Sequence, residues 1–77
     1  MTHTVVREIK LTGTDHRIND FFWDLNRQFP YTAHKAERTH GYYQALLDFG
    51  KADATRLDTF LHTPHFDLQV SSTPSNL

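Results

Sequence analysis

The sequence predicts a two-layer α+β domain, with two helices lying on one face of a four-stranded antiparallel sheet. Three observations carry that prediction. The hydrophobic spacing changes period in the order two, about 3.6, two, two, about 3.6 and two along the chain. Residues 18–29 carry one narrow apolar stripe at helical spacing. The breakers Gly13, Pro30, Gly41, Gly50 and Pro64 fall where the period changes. The element order is therefore β-α-β-β-α-β.

Each element has its own signal. Residues 5–11 alternate, with Val5, Ile9 and Leu11 expected toward the helices and Val6, Glu8 and Lys10 outward. Gly13 and Thr14 end this strand, and Thr14 or Asp15 is placed to cap a helix by accepting a free backbone N–H. Ile18, Phe21, Phe22, Leu25 and Phe29 then follow i, i+3, i+4, i+7 and i+11. Pro30 stops the helix, since it lacks a donor and restricts the preceding residue to extended geometry. Residues 31–39 read as a polar edge strand whose Lys35, Glu37 and Arg38 discourage pairing with other chains, although their propensities also suit a helix. His40-Gly41 is a hairpin turn, and residues 42–49 alternate, with Tyr43, Ala45, Leu47 and Phe49 on one face. Asp53 is the expected cap of a short helix over 54–61, with Ala54, Leu57 and Leu61 inward and Phe60 at the flank. Residues 66–70 alternate as a half-buried strand, and 72–77 read as a disordered polar tail after a single domain spanning 1–71. There is no internal repeat and no linker.

The right-handed crossover rule turns this order into a ferredoxin-like arrangement with strand order 4-1-3-2. It gathers the connections at 13–17, 39–41 and 61–66 at one end. A single domain of 77 residues buries only about 60% of its extended-chain surface, so a partner or a homodimer interface would add needed stability. Eight basic against nine acidic residues argue against non-specific DNA binding, which needs a cationic excess at the phosphates. With no cysteine, disulfides, thiolate zinc sites and iron–sulfur clusters are excluded. No apolar signal region and no long apolar run is present, so the expected location is the cytoplasm, away from membranes.

Four features stand out as candidates for function. Trp23 lies about 140° from the centre of the helical stripe at 100° per residue, among the polar Asn19, Asp20, Asn26 and Arg27. With Asp20, Asp24 and Arg27 it forms a candidate protein-binding face, because Trp and Arg are enriched where interfaces concentrate their energy. The alternative is a Trp23 ring covered by Arg27 or folded onto the sheet edge. Second, His16, His40, His62 and His65 fall in the gathered connections with Asp15. They are weak candidates for zinc or nickel, since Pro64 spoils the helical i, i+3 geometry of His62 and His65. Polar residues collecting in loops account for them equally well, and no cofactor is expected.

The third feature is the open sheet face, where Val6, Glu8 and Lys10 lie beside Tyr42, Gln44 and Leu46. Residues 40–47, His-Gly-Tyr-Tyr-Gln-Ala-Leu-Leu, resemble the RNP1 stretch of RNA recognition motif domains in their Gly-Tyr start. That resemblance implies bases stacked on Tyr42, yet Gln44 replaces the second stacking aromatic and Glu8 repels phosphate. A covered sheet surface or a dimer interface suits Tyr42 as well. Fourth, the loop 13–17 precedes a helix N-terminus that could hold a small anion. Arg17 lies near the place of the loop arginine in acylphosphatases, and the loop is similar in position to the ligand loop of ACT-type sensor domains. The acylphosphatase glycine pattern and asparagine have no counterpart, and His16 follows Asp15 where ACT domains have glycine. The only serines, Ser71, Ser72 and Ser75, border the tail, which makes a positioned nucleophile improbable.

These readings rank a non-enzymatic interaction domain first, a regulator or inhibitor of a larger protein or complex, of the kind used by phages and mobile elements. It would dock through Asp20, Trp23, Asp24 and Arg27, with Tyr42 as a further contact. An ACT-like sensor of small ligands or metals and a single-stranded RNA binder are the alternatives.

Overall fold

The computed structural model describes residues 4–65 and 67–76. Its elements are β1 (Val6–Gly13), α1 (Asp15–Gln28), β2 (Thr32–Thr39), β3 (Tyr42–Asp48), α2 (Ala54–His62) and β4 (Leu68–Pro74). The four strands form one antiparallel sheet in the order β2-β3-β1-β4, the ferredoxin-like topology expected from the periods.

Both helices begin as the sequence indicates. The Thr14 hydroxyl accepts the Arg17 N–H at 3.3 Å and Asp53 Oδ1 accepts that of Arg56 at 3.2 Å, each satisfying one of the orphan donors of a first turn. Thr14, rather than Asp15, is the cap of α1. Ahead of Pro30, that helix closes with the Phe29 N–H on the Leu25 carbonyl at 2.7 Å. The stripe it presents is buried at Ile18, Phe21, Leu25 and Phe29, while Phe22 is half-buried against Tyr43, with ring centroids 4.5 Å apart.

The core lies between helices and sheet, where Ile9, Leu11, Ile18, Leu25, Leu47 and Leu57 are fully buried. Among the described residues no polar or charged residue is buried whole, so the centre of this layer is held by apolar packing. Arg7 reaches from β1 to α2, donating from Nε and Nη2 to the two oxygens of Asp58 at 2.9 and 3.1 Å and from Nη1 to the Val6 carbonyl at 2.9 Å. Val6 departs from expectation. It stays outside the helix-side cluster and is nonetheless 4% exposed, its carbonyl accepting the Ser75 N–H at 3.1 Å.

That last bond belongs to a larger difference. Residues 72–74, expected in a disordered tail, extend β4 and pair with β1 in the register Ile9↔Ser72, Glu8↔Thr73 and Arg7↔Pro74. The reason is the length of β1. The backbone groups of Val6 and Glu8 face away from β3, and a longer β4 satisfies them within the sheet. Phe66, expected to open this strand, lies outside the described residues.

β2 is a strand, as the order requires, and it carries a bulge. The register shifts between His34 and Glu37, and Lys35 adopts φ 49°, a left-handed conformation uncommon outside glycine. At the gathered end, a Cβ on Gly13 would stand 2.8 Å from the Asp67 carbonyl and from Leu68 Cδ1. Only glycine lets β4 start so close to β1.

Candidate functional site

α1 displays the indole of Trp23 at 67% exposure, the one large apolar side chain exposed among the described residues. Its position follows from the helical period, which turns Trp23 away from the buried stripe. Arg27, one turn on, sets its guanidinium carbon 5.0 Å from the ring centroid and donates to Asp24 Oδ1 at 2.9 Å. Gln28 donates to the same oxygen at 3.3 Å. Asp24 thus anchors Arg27, and Arg27 steadies one face of the indole by a cation–π contact. The ring's remaining surface borders a concavity of about 460 Å³ shared with Asn19, Phe22, Asn26, Arg27 and Tyr31.

Of the expected docking residues, Trp23, Asp24 and Arg27 form one connected patch. Asp20 lies toward the other side of α1, 3.4 Å from His16 Nε2, beside a separate hollow of about 200 Å³ lined by Arg17, Phe21, Asp24, His65 and Leu68. Tyr42 does not join them. It is half-buried on the opposite face of the sheet, where its hydroxyl donates to Gln44 Oε1 at 2.8 Å. Tyr31 is the residue that sequence reasoning missed. It packs against Phe49 and Phe22, and burial pushes its phenol up from the ordinary value. Asn19 and Asn26 were legible at i−4 and i+3 from Trp23, but Tyr31 reaches the cleft only through the chain reversal at Pro30.

The three connections do meet at one end. The Gly13 N–H donates to the Gly41 carbonyl at 3.0 Å, and the Gly41 N–H donates to Asp15 Oδ1 at 2.9 Å. His40 Nδ1 stands 3.0 Å from Asp15 Oδ2. The Gly41 N–H bond, aided by His40 and Arg38 against desolvation, lowers the Asp15 carboxyl below its usual range.

The histidines themselves do not converge, and no group of three or more His, Asp or Glu side chains among the described residues could hold a metal ion. His62 Nδ1 lies 2.8 Å from the Asp58 carbonyl; an oxygen that only accepts places the proton on Nδ1. His65 packs edge-on against Phe21, with centroids 4.8 Å apart, its Nε2 3.3 Å from the Phe60 carbonyl. His16 and His40 each face a carboxylate instead. Sharing an end of the fold does not give these rings a common focus.

On the open sheet face Glu8 and Lys10 lie 4.0 Å apart beside Tyr42 and Gln44. No described helix is long and apolar enough to cross a membrane. Comparison with protein-family models, with curated proteins and with solved structures gives no match for this chain.

Proposed function

We propose that this domain is a non-enzymatic interaction module that regulates or inhibits a larger protein by docking the Trp23 face of α1. The observation that carries this reading is the indole itself, 67% exposed and steadied by Arg27 over Asp24. Exposed aromatic surface is unfavourable in water, and burying it in a partner recovers its transfer free energy. Arg27 has already lost much of its freedom to the stacking contact and the Asp24 bond. Less side-chain entropy therefore remains to be lost on binding. The concavity beside the ring, with Asn19 and Asn26 on its wall, supplies polar groups that can orient an incoming apolar side chain.

The test compares wild type with Trp23→Ala. A partner recovered from the native host by wild type is purified and titrated with both proteins. The expected result is an unchanged unfolding midpoint for Trp23→Ala with an affinity at least about 30-fold lower, the scale of a hot-spot residue. Equal affinity for the two proteins would remove Trp23 from the interface and overturn the proposal.

A further inference from the structure

The two outer edges of the sheet are built differently. β2, Thr-Ala-His-Lys-Ala-Glu-Arg-Thr, carries three charged residues and a bulge at Lys35, both of which hinder strand addition. β4, Leu-Gln-Val-Ser-Ser-Thr-Pro, has no charge, and its register with β1 runs unbroken from Gly13↔Leu68 to Arg7↔Pro74.

The direction of every backbone group in β4 follows from two bonds. The Ser75 N–H donates to the Val6 carbonyl, and the Phe49 N–H donates to that of Val5. Even-numbered residues of β1 therefore turn their backbone toward β4, and odd-numbered ones toward β3. By the register, Gln69, Ser71 and Thr73 are bonded to β1, whereas Leu68, Val70, Ser72 and Pro74 face the free edge. The Leu68 N–H is spent on the His65 carbonyl at 3.3 Å, and Pro74 has none to give. The open donors of this edge are thus Val70 and Ser72. Ser72 also holds the one buried side-chain polar atom without a hydrogen-bond partner among the described residues, its Oγ.

We infer that the β4 edge pairs antiparallel with the β4 edge of a second copy of this chain, about a twofold axis at Ser71, giving one continuous sheet across the dimer. The pattern is self-complementary. A twofold at Ser71 sets Val70 opposite the partner's Ser72 and Ser72 opposite the partner's Val70, so each open N–H meets an open carbonyl. The same axis sets Leu68 opposite the partner's Pro74, which matches the two positions that have no N–H to offer. With no charge on the strand, no like charges meet across the axis. α2 is the helix packed most against β4, and the concavity beside Trp23 is lined by α1 and Tyr31 with no residue of β4, so this pairing is independent of the Trp23 reading.

The experiment is sedimentation equilibrium on wild type, Ser71→Glu and Ser71→Lys from micromolar to millimolar concentration, with amide exchange on the same samples. Ser71 is exposed and lies opposite Lys10 within the chain. Ser71→Glu therefore gains an opposite-charge neighbour in the monomer while facing its own copy across the axis. Wild type is expected to pass from one chain to two as concentration rises, with exchange at the Val70 and Ser72 amides slowing in step. Ser71→Glu alone is expected to stay a folded monomer, and an equal mixture of Ser71→Glu and Ser71→Lys to dimerise again. A wild type that is monomeric throughout, or a Ser71→Glu that dimerises as well as wild type, overturns the inference.

Discussion

Asp15 shows how one side chain ties distant segments. Its carboxylate receives the Gly41 N–H from a turn 26 positions on and stands beside His40, so the α1 start and the β2–β3 hairpin are held together. Because the folded-state pKa is depressed, the stabilisation is present above the unfolded value, near pH 4 for aspartate, and is lost as pH falls through the lower folded value. Asp15→Ala should therefore be less stable than wild type at neutral pH, and the difference should shrink as pH is lowered toward 3, read by urea denaturation at each pH. The Arg7–Asp58 pair obeys the same sign, its carboxyl lowered chiefly by the hydrogen bond from Arg7. Arg7 is 12% exposed and Asp58 39%, so solvent screens only one partner well. Asp58→Ala should cost about 1–2 kcal/mol, between the values for exposed and buried pairs, since it strands a nearly buried guanidinium. In the core, Leu25→Ala at a fully buried position should cost about 2–5 kcal/mol by transfer and cavity formation.

Among the elements, β4 departs furthest from its sequence signal. Ser72, Thr73 and Pro74 have the composition of a tail, and they are a strand because β1 offers unpaired backbone groups there. Deleting residues 72–77 should consequently destabilise the domain by about 2 kcal/mol or more, at roughly 1 kcal/mol per lost backbone bond, seen as a lower urea midpoint. A dispensable tail would leave that midpoint where it was. The hairpin between β2 and β3 depends on Gly41, whose φ of 77° suits few side chains and whose added Cβ would lie 3.2 Å from the Gly13 carbonyl. Gly41→Ala should lower stability by about 1–2 kcal/mol through strain alone.

Across the whole molecule, one apolar layer between sheet and helices couples five of the six elements, and β2 joins them through its pairing with β3, which favours cooperative, two-state unfolding. Trp23 lies outside that layer, so its fluorescence should report solvent and not packing. Emission should be red-shifted in the native state and readily quenched by acrylamide, and Trp23→Ala should change stability by no more than about 0.5 kcal/mol, as surface substitutions do. A blue-shifted, protected indole in the isolated chain would mean that a further contact covers it. At this scale the two proposed contact surfaces are separate features: α1 carries the exposed aromatic and β4 the open strand edge.

The sequence by itself determined the order of elements, the helix cap at Asp53, a first cap at either Thr14 or Asp15, the buried stripe of α1 and the outward place of Trp23. These are local properties, set by side-chain period and by which residues can satisfy a free N–H. The weakly patterned β2 reads as a strand from its polar, charged composition, which suits a sheet edge, although the same residues also suit a helix. Tertiary structure alone decided that Tyr31 joins Trp23 at a cleft, that Tyr42 is cut off from it by the sheet, and that four histidines sharing one end have separate partners. It also decided that residues 72–74 become strand. Each of these depends on what a distant segment leaves unsatisfied or within reach, and no local pattern of residues records that.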